Sequence, residues 1–188
     1  MKTRCFAIAM LLLVGMICTG VNAQDQKKEK RDRREKKEMT KVDQEKLPKE
    51  AHDFISKYFP GDEIVTVEAD GQMMRFEVKL GSTTEIDFNK DGKWFDIEND
   101  KGIAVSAQDA FPQGIRDYVT KNYQNKQITN IERRPFGYEV EVNTVPEETD
   151  LYFDKDGKYL TPEQLQQMRD QRKDMRKDMK MDKSQECK

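Results

Sequence analysis

The sequence is poor in the residues that build most reaction centres. Of 188 residues, one is histidine, one is tryptophan and three are cysteine. The cysteines are Cys5, Cys18 and Cys187, so no close pair marks a zinc ribbon or a redox motif. His52 has no second histidine and no nearby cysteine, and so makes neither a zinc centre nor a Cys–His pair. No Gly-x-Ser-x-Gly elbow, phosphate-binding loop or dinucleotide fingerprint occurs, and the function classes carried by those motifs fall away. Carboxylates are abundant, but their spacing alone does not separate a paired-acid hydrolase from a solvated acidic face. Apolar runs are scarce too: the one long run covers residues 5–18, and the mean hydropathy is -0.98. That argues against an integral membrane protein.

The one apolar run has the form of a secretory signal. Lys2 and Arg4 precede it, and Val21-Asn22-Ala23 follows with small or aliphatic residues at the positions that a signal peptidase reads. Cleavage is expected after Ala23, so residues 1–23 are the signal peptide and the mature chain is periplasmic. Ile17 before Cys18 is the wrong residue for a lipoprotein. Removing Cys5 and Cys18 leaves Cys187 alone, so the exported domain has no internal disulfide and must hold itself by a core or by bound ligands.

The formal net charge is -2, from 34 Lys or Arg and 36 Asp or Glu, but this sum hides opposing blocks. Residues 24–46 carry 10 basic and 7 acidic side chains, with one Met and one Val as the only apolar residues. Such a stretch buries too little surface to offset ordering entropy and reads as a disordered or helical arm. It acts as a solubilising spacer or touches an acidic surface such as lipid headgroups. Residues 161–188 carry 8 basic and 6 acidic side chains. There Thr161-Pro162-Glu163-Gln164 has the pattern of a helix start, and Leu165, Met168, Met175 and Met179 form a thin stripe on a charged helix or tail. Residues 47–160 hold 14 basic and 23 acidic side chains and every aromatic residue beyond the signal. This is the folded domain, and its acidity points away from nucleic acid.

Within 47–160 the sequence repeats. Leu47-Pro48 and Phe111-Pro112 each open a helix, with the prolines expected in the first turn. Ala51, Phe54, Ile55 and Tyr58 form one helical face, and Ile115, Tyr118, Val119 and Tyr123 form another. Two alternating segments follow at matching places, Phe76-Glu77-Val78-Lys79-Leu80 and Tyr138-Glu139-Val140-Glu141-Val142, each with the period of a strand buried on one side. Ile86-Asp87-Phe88-Asn89-Lys90-Asp91-Gly92-Lys93-Trp94 matches Leu151-Tyr152-Phe153-Asp154-Lys155-Asp156-Gly157-Lys158-Tyr159. The expectation is an α+β fold: a tandem duplication, over about 47–98 and 111–160, of one helix followed by about four antiparallel strands, with both helices on one sheet face.

In these residues the chain resembles the PepSY-like family of exported bacterial proteins, which is similar in fold to beta-lactamase inhibitory protein. The Leu-Pro helix start, the Phe59-Pro60-Gly61 helix end, the Phe-Glu-Val or Tyr-Glu-Val strand and the Asp-Phe-Asn-Lys-Asp-Gly-Lys-Trp hairpin carry the likeness. Tyr123-Gln124-Asn125 replaces Phe59-Pro60-Gly61 in the second half. The resemblance implies a non-enzymatic periplasmic domain that binds a protein partner, such as a peptidase or another envelope enzyme, with a sheet surface.

Two further readings concern single sites. Asp87, Asn89 and Asp91, then Gly92 and Glu98, fit the spacing of an EF-hand calcium loop, so Ca2+ is one candidate ligand. The alternative is a hairpin turn with Gly92 in the left-handed position, a turn that survives at Gly157 although Tyr152 replaces the first ligand. Trp94 and Tyr159 stand just after the two turns. If Phe95 and Ile97 face the core, strict alternation puts Trp94 beside Asp96 on an acidic surface as a partner anchor; the reverse assignment buries it.

Overall fold

The structure is a computed structural model that describes residues 39–144 and 147–185, with side chains as far as 175. The signal peptide 1–23, the arm as far as residue 38, and Cys187 lie outside the described residues. Eight strands form one antiparallel sheet in the order of the sequence: β1 Met39–Lys41, β2 Ile64–Asp70, β3 Arg75–Leu80, β4 Glu85–Asn89, β5 Trp94–Glu98, β6 Ile128–Arg134, β7 Gly137–Val142 and β8 Thr149–Asp154. Helix α1, Lys49–Tyr58, lies between β1 and β2 in the chain, α2, Gln113–Asn122, between β5 and β6, and α3, Pro162–Gln185, after β8. The fold class is α+β.

Each element follows from its pattern. In β3, Phe76, Val78 and Leu80 are buried while Arg75, Glu77 and Lys79 are half-buried, the period of two that gives a sheet one dry face. On α1, Ala51 and Ile55 are buried one turn apart, and on α2 Ile115 and Val119 repeat that spacing. These residues share one continuous core with Val67, Val78, Ile86, Phe88, Ile97, Ile131, Val140, Leu151 and Phe153. Phe54 meets Phe88 edge-on at 5.7 Å, and Tyr118 meets Phe153 edge-on at 5.5 Å, so each helix sets an aromatic ring on the strands that follow it.

Local geometry recurs between the halves. Both helices end with a backbone N–H returning to the fourth residue before it, Phe59 to Ile55 and Tyr123 to Val119, each at 2.8 Å. The pairing shifts register at Ile64/Thr66 in β2 and at Ile128/Asn130 in β6. Asn89 Oδ1 accepts from the backbone N–H of Asp91 and Lys93, and Asp154 Oδ1 accepts from those of Asp156 and Lys158.

Four expectations need correction. The second half has three strands after its helix, not four, since Tyr159 makes only an isolated bridge to Phe153. Residues 39–41 of the supposed arm are a strand, and 44–46 a short 3-10 helix; the pairing of Met39 with Asp70 and Lys41 with Glu68 supplies hydrogen bonds that composition does not reveal. Pro48 and Pro112 are the capping residues before the helices, with extended ψ of 144° and 134°, rather than members of the first turn. A 3-10 helix, Val105–Ala110, occupies the connection where no element was expected, and it buries Ala107.

The C-terminal helix begins as its sequence indicates. Thr161 N–H donates to Gln164 Oε1 at 3.0 Å and Gln164 N–H to Thr161 Oγ1 at 3.4 Å, a reciprocal cap. Leu165 is buried, whereas Met168 and Met175 are exposed, so the apolar stripe is used at its first position.

Candidate binding face

The face of the sheet away from the core is built by alternation and aligned by register. In β2 to β7, the residues between the core positions are mostly acidic. Antiparallel pairing brings Glu68 opposite Glu77, Glu77 opposite Asp87, Asp87 opposite Asp96, Asp96 opposite Glu132, and Glu132 opposite Glu139. Six carboxylates therefore stand in one row across six strands. Lys41 precedes the row on β1 and Tyr152 follows it on β8. A second row runs Lys79, Glu85, Glu98, Asn130, Glu141, Asp150. Like charges directly opposite each other destabilise a sheet, so the arrangement is costly for the fold.

Cations offset part of that cost. Arg75 Nη2 donates to Asp87 Oδ2 at 2.5 Å, Lys79 Nζ to Glu85 at 2.7 Å, and Arg134 to both Glu132 at 2.5 Å and Glu139 at 2.8 Å. Burial pushes the Asp87 carboxyl up to about 8, against the pull of Arg75, with Asp96 and Glu77 adding to the rise. Burial, then the charge of Glu85, raises Glu77 as well. Asn130, only 1% exposed, donates its Nδ2 to Asp96 Oδ1 at 2.8 Å.

The residues singled out from sequence are dispersed. Asp87 and Asp96 belong to the acidic row, and Glu98 lies in the neighbouring row opposite Glu85. Asn89 turns its oxygen onto the hairpin backbone, and Asp91 pairs with Lys90 at 3.1 Å. Thus Asp87, Asn89, Asp91 and Glu98 do not converge as an EF-hand would require. Among the described residues, no group of three or more His, Cys, Asp or Glu is placed to hold a metal ion. His52 is engaged locally, with Nε2 3.0 Å from Gln44 O.

Trp94 is 4% exposed and takes the buried alternative, which corrects its role as a surface anchor. The cause is a bulge. The register shifts between Asp87 and Phe88, so Phe88 faces Trp94 and Asp87 faces Asp96, and Phe95 is the extra residue. Trp94 and Ile97 therefore both reach the core. Arg133 lies over the indole at 4.0 Å, and Arg75 lies 5.5 Å from the Phe95 ring. Tyr159 stacks on Tyr118 at 4.4 Å.

The two Asp-Gly turns have a packing role that sequence reasoning missed. A Cβ on Gly92 would come within 2.8 Å of Ala51 N in the first turn of α1, and one on Gly157 within 2.6 Å of Pro112 Cβ at the start of α2. Both glycines have positive φ, 70° and 82°. Each turn thus abuts the start of its own half's helix, and glycine meets the conformational and the steric demand at once. The signal for this was present in the pairing of Leu-Pro with Asp-Gly in each half, but only contact gives it meaning.

A polar cleft of about 250 Å³ is lined by Asp62, Ser82, Thr84, Asn99 and Ser106 with Phe59 and Pro60. Its polar groups largely satisfy each other: Asn99 Nδ2 donates to Thr84 Oγ1 at 2.8 Å, and the Ser82 and Thr84 hydroxyls are 2.8 Å apart.

Comparison with known proteins decides the family. The chain matches the family described as "Putative beta-lactamase-inhibitor-like, PepSY-like" over residues 32–82 and 74–161. It belongs to the PepSY-like family. A solved Bacteroides vulgatus protein described as a "putative periplasmic protein of unknown function" is 28% identical with a TM-score of 0.56, covering 65% of this chain and 97% of its own. A Bacteroides thetaiotaomicron protein described as a "putative calcium-regulated periplasmic protein" is 23% identical with a TM-score of 0.57, covering 65% and 94%. A second Bacteroides vulgatus protein, described as a "putative periplasmic protein", is 21% identical with a TM-score of 0.55, covering 66% and 95%. The last two likenesses concern the fold alone. No curated protein matches the chain. The match from residue 32 includes β1, in keeping with the strand that the charge pattern concealed.

Proposed function

We propose that this PepSY-like chain is an exported, non-enzymatic binding protein of the periplasm that modulates a protein partner, such as a peptidase or another envelope enzyme, through the acidic face of its sheet. The observation that carries the reading is the row from Glu68 to Glu139, which departs from good cross-strand pairing at a cost to the fold. Support comes from the inhibitor-like family, from the periplasmic descriptions of solved relatives and from the signal-like N-terminus. The recurring helix ends, register shifts and Asp-Gly turns favour reading the halves as a tandem duplication with both helices on the opposite face.

A photoreactive side chain at Glu139 or Tyr152 should crosslink to a partner in the envelope, while one at Lys57 or Lys121 on the helices should not. Crosslinks confined to the helix positions would sink the sheet-face reading.

A second reading is calcium responsiveness, favoured by the name of the Bacteroides thetaiotaomicron neighbour and by the crowded carboxylates around Asp87. Calcium would act by screening the acidic face as a whole, since among the described residues no three of its carboxylates are placed to hold one ion. Calorimetry with calcium chloride tests it against Asp87→Asn and Asp91→Ala. Heat lost in the first variant and retained in the second places the ion on the sheet rather than the turn, and no heat at millimolar calcium ends the idea.

A further inference from the structure

We propose that Arg133 seats a carboxylate group of a bound peptide, on the helix side of the sheet and over the indole of Trp94. The inference goes beyond the sheet-face reading and does not depend on it.

Pairing decides the side of the sheet. Arg133 stands two residues after the buried Ile131 on β6 and directly opposite Tyr138 on β7, whose ring packs against the core. Its guanidinium lies 4.0 Å from the centre of the buried Trp94 indole. That indole is 6.5 Å from the Tyr138 ring and 6.1 Å from the Phe54 ring. Arg133 as a whole is exposed, so the covering is one-sided: the indole takes one face of the guanidinium and leaves its N–H edge to solvent.

Charge balance sets this arginine apart. Arg75 pairs with Asp87, Arg116 with Asp109, and Arg134 with Glu132 and Glu139. Arg133 has no carboxylate partner and no hydrogen bond among the described residues, in a domain with 23 acidic side chains against 14 basic. Burial lowers its pKa from the ordinary value, and only Tyr138 acts the other way. A cation–π contact engages the face of the group and not its N–H donors. Stacking therefore holds a planar fork in place with its donors unused, which is the geometry that a carboxylate accepts from with both oxygens. One guanidinium balances one negative charge, and a doubly charged sulfate or phosphate would meet the repulsion of the acidic domain. The half-buried Tyr138 ring offers apolar surface to residues flanking the carboxylate in a chain, surface that a free acid such as acetate does not use.

Trp94 is the only tryptophan of the chain, so its emission reports on this position directly. The full mature chain is titrated at about 0.05 M salt with three acetylated alanine pentapeptides. One has a free C-terminal carboxylate, one is amidated with a central glutamate, and one is amidated and uncharged. At least one charged peptide should change the emission with half-saturation at about 1 mM, the strength of a single charge-assisted fork, and the uncharged one should not at about 10 mM. A response to the first alone identifies a chain terminus as the source of the carboxylate, and a response to the second an acidic side chain. Arg133→Gln should abolish the response. Arg133→Lys, which keeps the charge without the fork, should weaken it about threefold or more, and Lys121→Gln, which removes the same charge from α2, by less than about twofold. If the glutamine variant loses its native thermal transition, the lysine variant carries the comparison.

No response to either charged peptide, a response retained in Arg133→Gln, or equal losses in Arg133→Gln and Lys121→Gln would overturn the proposal. So would an equal response to the uncharged peptide, or to sodium acetate or sodium sulfate at matched ionic strength. Crosslinks at Glu139 and Tyr152 test the other side of the sheet and are unaffected by any of these results.

Discussion

Thr83 is a β-branched residue held at a φ of 71°, in the turn joining β3 to β4. Its N–H donates to Leu80 O at 3.0 Å, and Leu80 N–H donates to Thr84 O at 2.8 Å. The equivalent position in the next hairpin is Gly92, at a φ of 70°. The same turn is thus built once with the favoured residue and once with a strained one. Thr83→Gly should raise stability by about 1 kcal/mol, the strain released less the greater flexibility of unfolded glycine. A lower urea midpoint in the variant would count against stored strain there. The reverse change at the other turns should be severe. Gly92→Ala and Gly157→Ala should each cost about 1–3 kcal/mol, since strain at positive φ adds to the clash with Ala51 N or Pro112 Cβ. Thermal melts check this, and an unchanged melting temperature would show that the turns do not rest on the helices.

At the scale of elements, each helix depends on a different source of stability. Helices α1 and α2 are ten residues each, short for independent stability, and are held by Ala51, Ile55, Ile115 and Val119 in the core. Ile115 is fully buried, so Ile115→Ala should cost about 2–5 kcal/mol in a denaturant titration, and a loss near zero would mean that α2 is not anchored as described. Among its described side chains, helix α3 has one buried apolar residue, Leu165, and it relies on its Thr161–Gln164 cap. Thr161→Ala should weaken its first turn by about 1 kcal/mol, read as reduced far-ultraviolet helicity with little change in the domain's melting temperature. A full loss of the domain transition would instead make α3 part of the core.

The whole molecule joins a well-packed face to a strained acidic one, and this sets its response to pH. Asp87 in the folded chain keeps its proton to about 8, whereas its ordinary value is 3.8. Between these values the folded state binds more protons than the unfolded state, so stability falls as pH rises through that window and is highest on its acid side. Glu77 acts in the same direction. Asp87→Asn should flatten the fall while leaving an amide oxygen for Arg75. Denaturation midpoints measured across the window decide the matter, and an unaltered slope in the variant would remove Asp87 as its source.

Much of this protein is determined locally. Apolar spacing predicts both core helices, Phe-Glu-Val and Tyr-Glu-Val predict half-buried strands, Thr161 to Gln164 predicts a cap, and Asp-Gly predicts turns. Those features depend on residues within one or two turns of chain, and the structure contains each of them. What needed the tertiary structure depends on partners distant in sequence. The bulge opposite Phe88 buries Trp94, where strict alternation left its face open. Strand β1 exists because Asp70 and Glu68 offer it an edge, although its composition is that of a solvated arm. The acidic row is the clearest case. Alternation puts a carboxylate on the outer side of each strand from β2 to β7, but only register puts six of them opposite one another, because register is set by the pairing of whole strands and by the core they jointly bury.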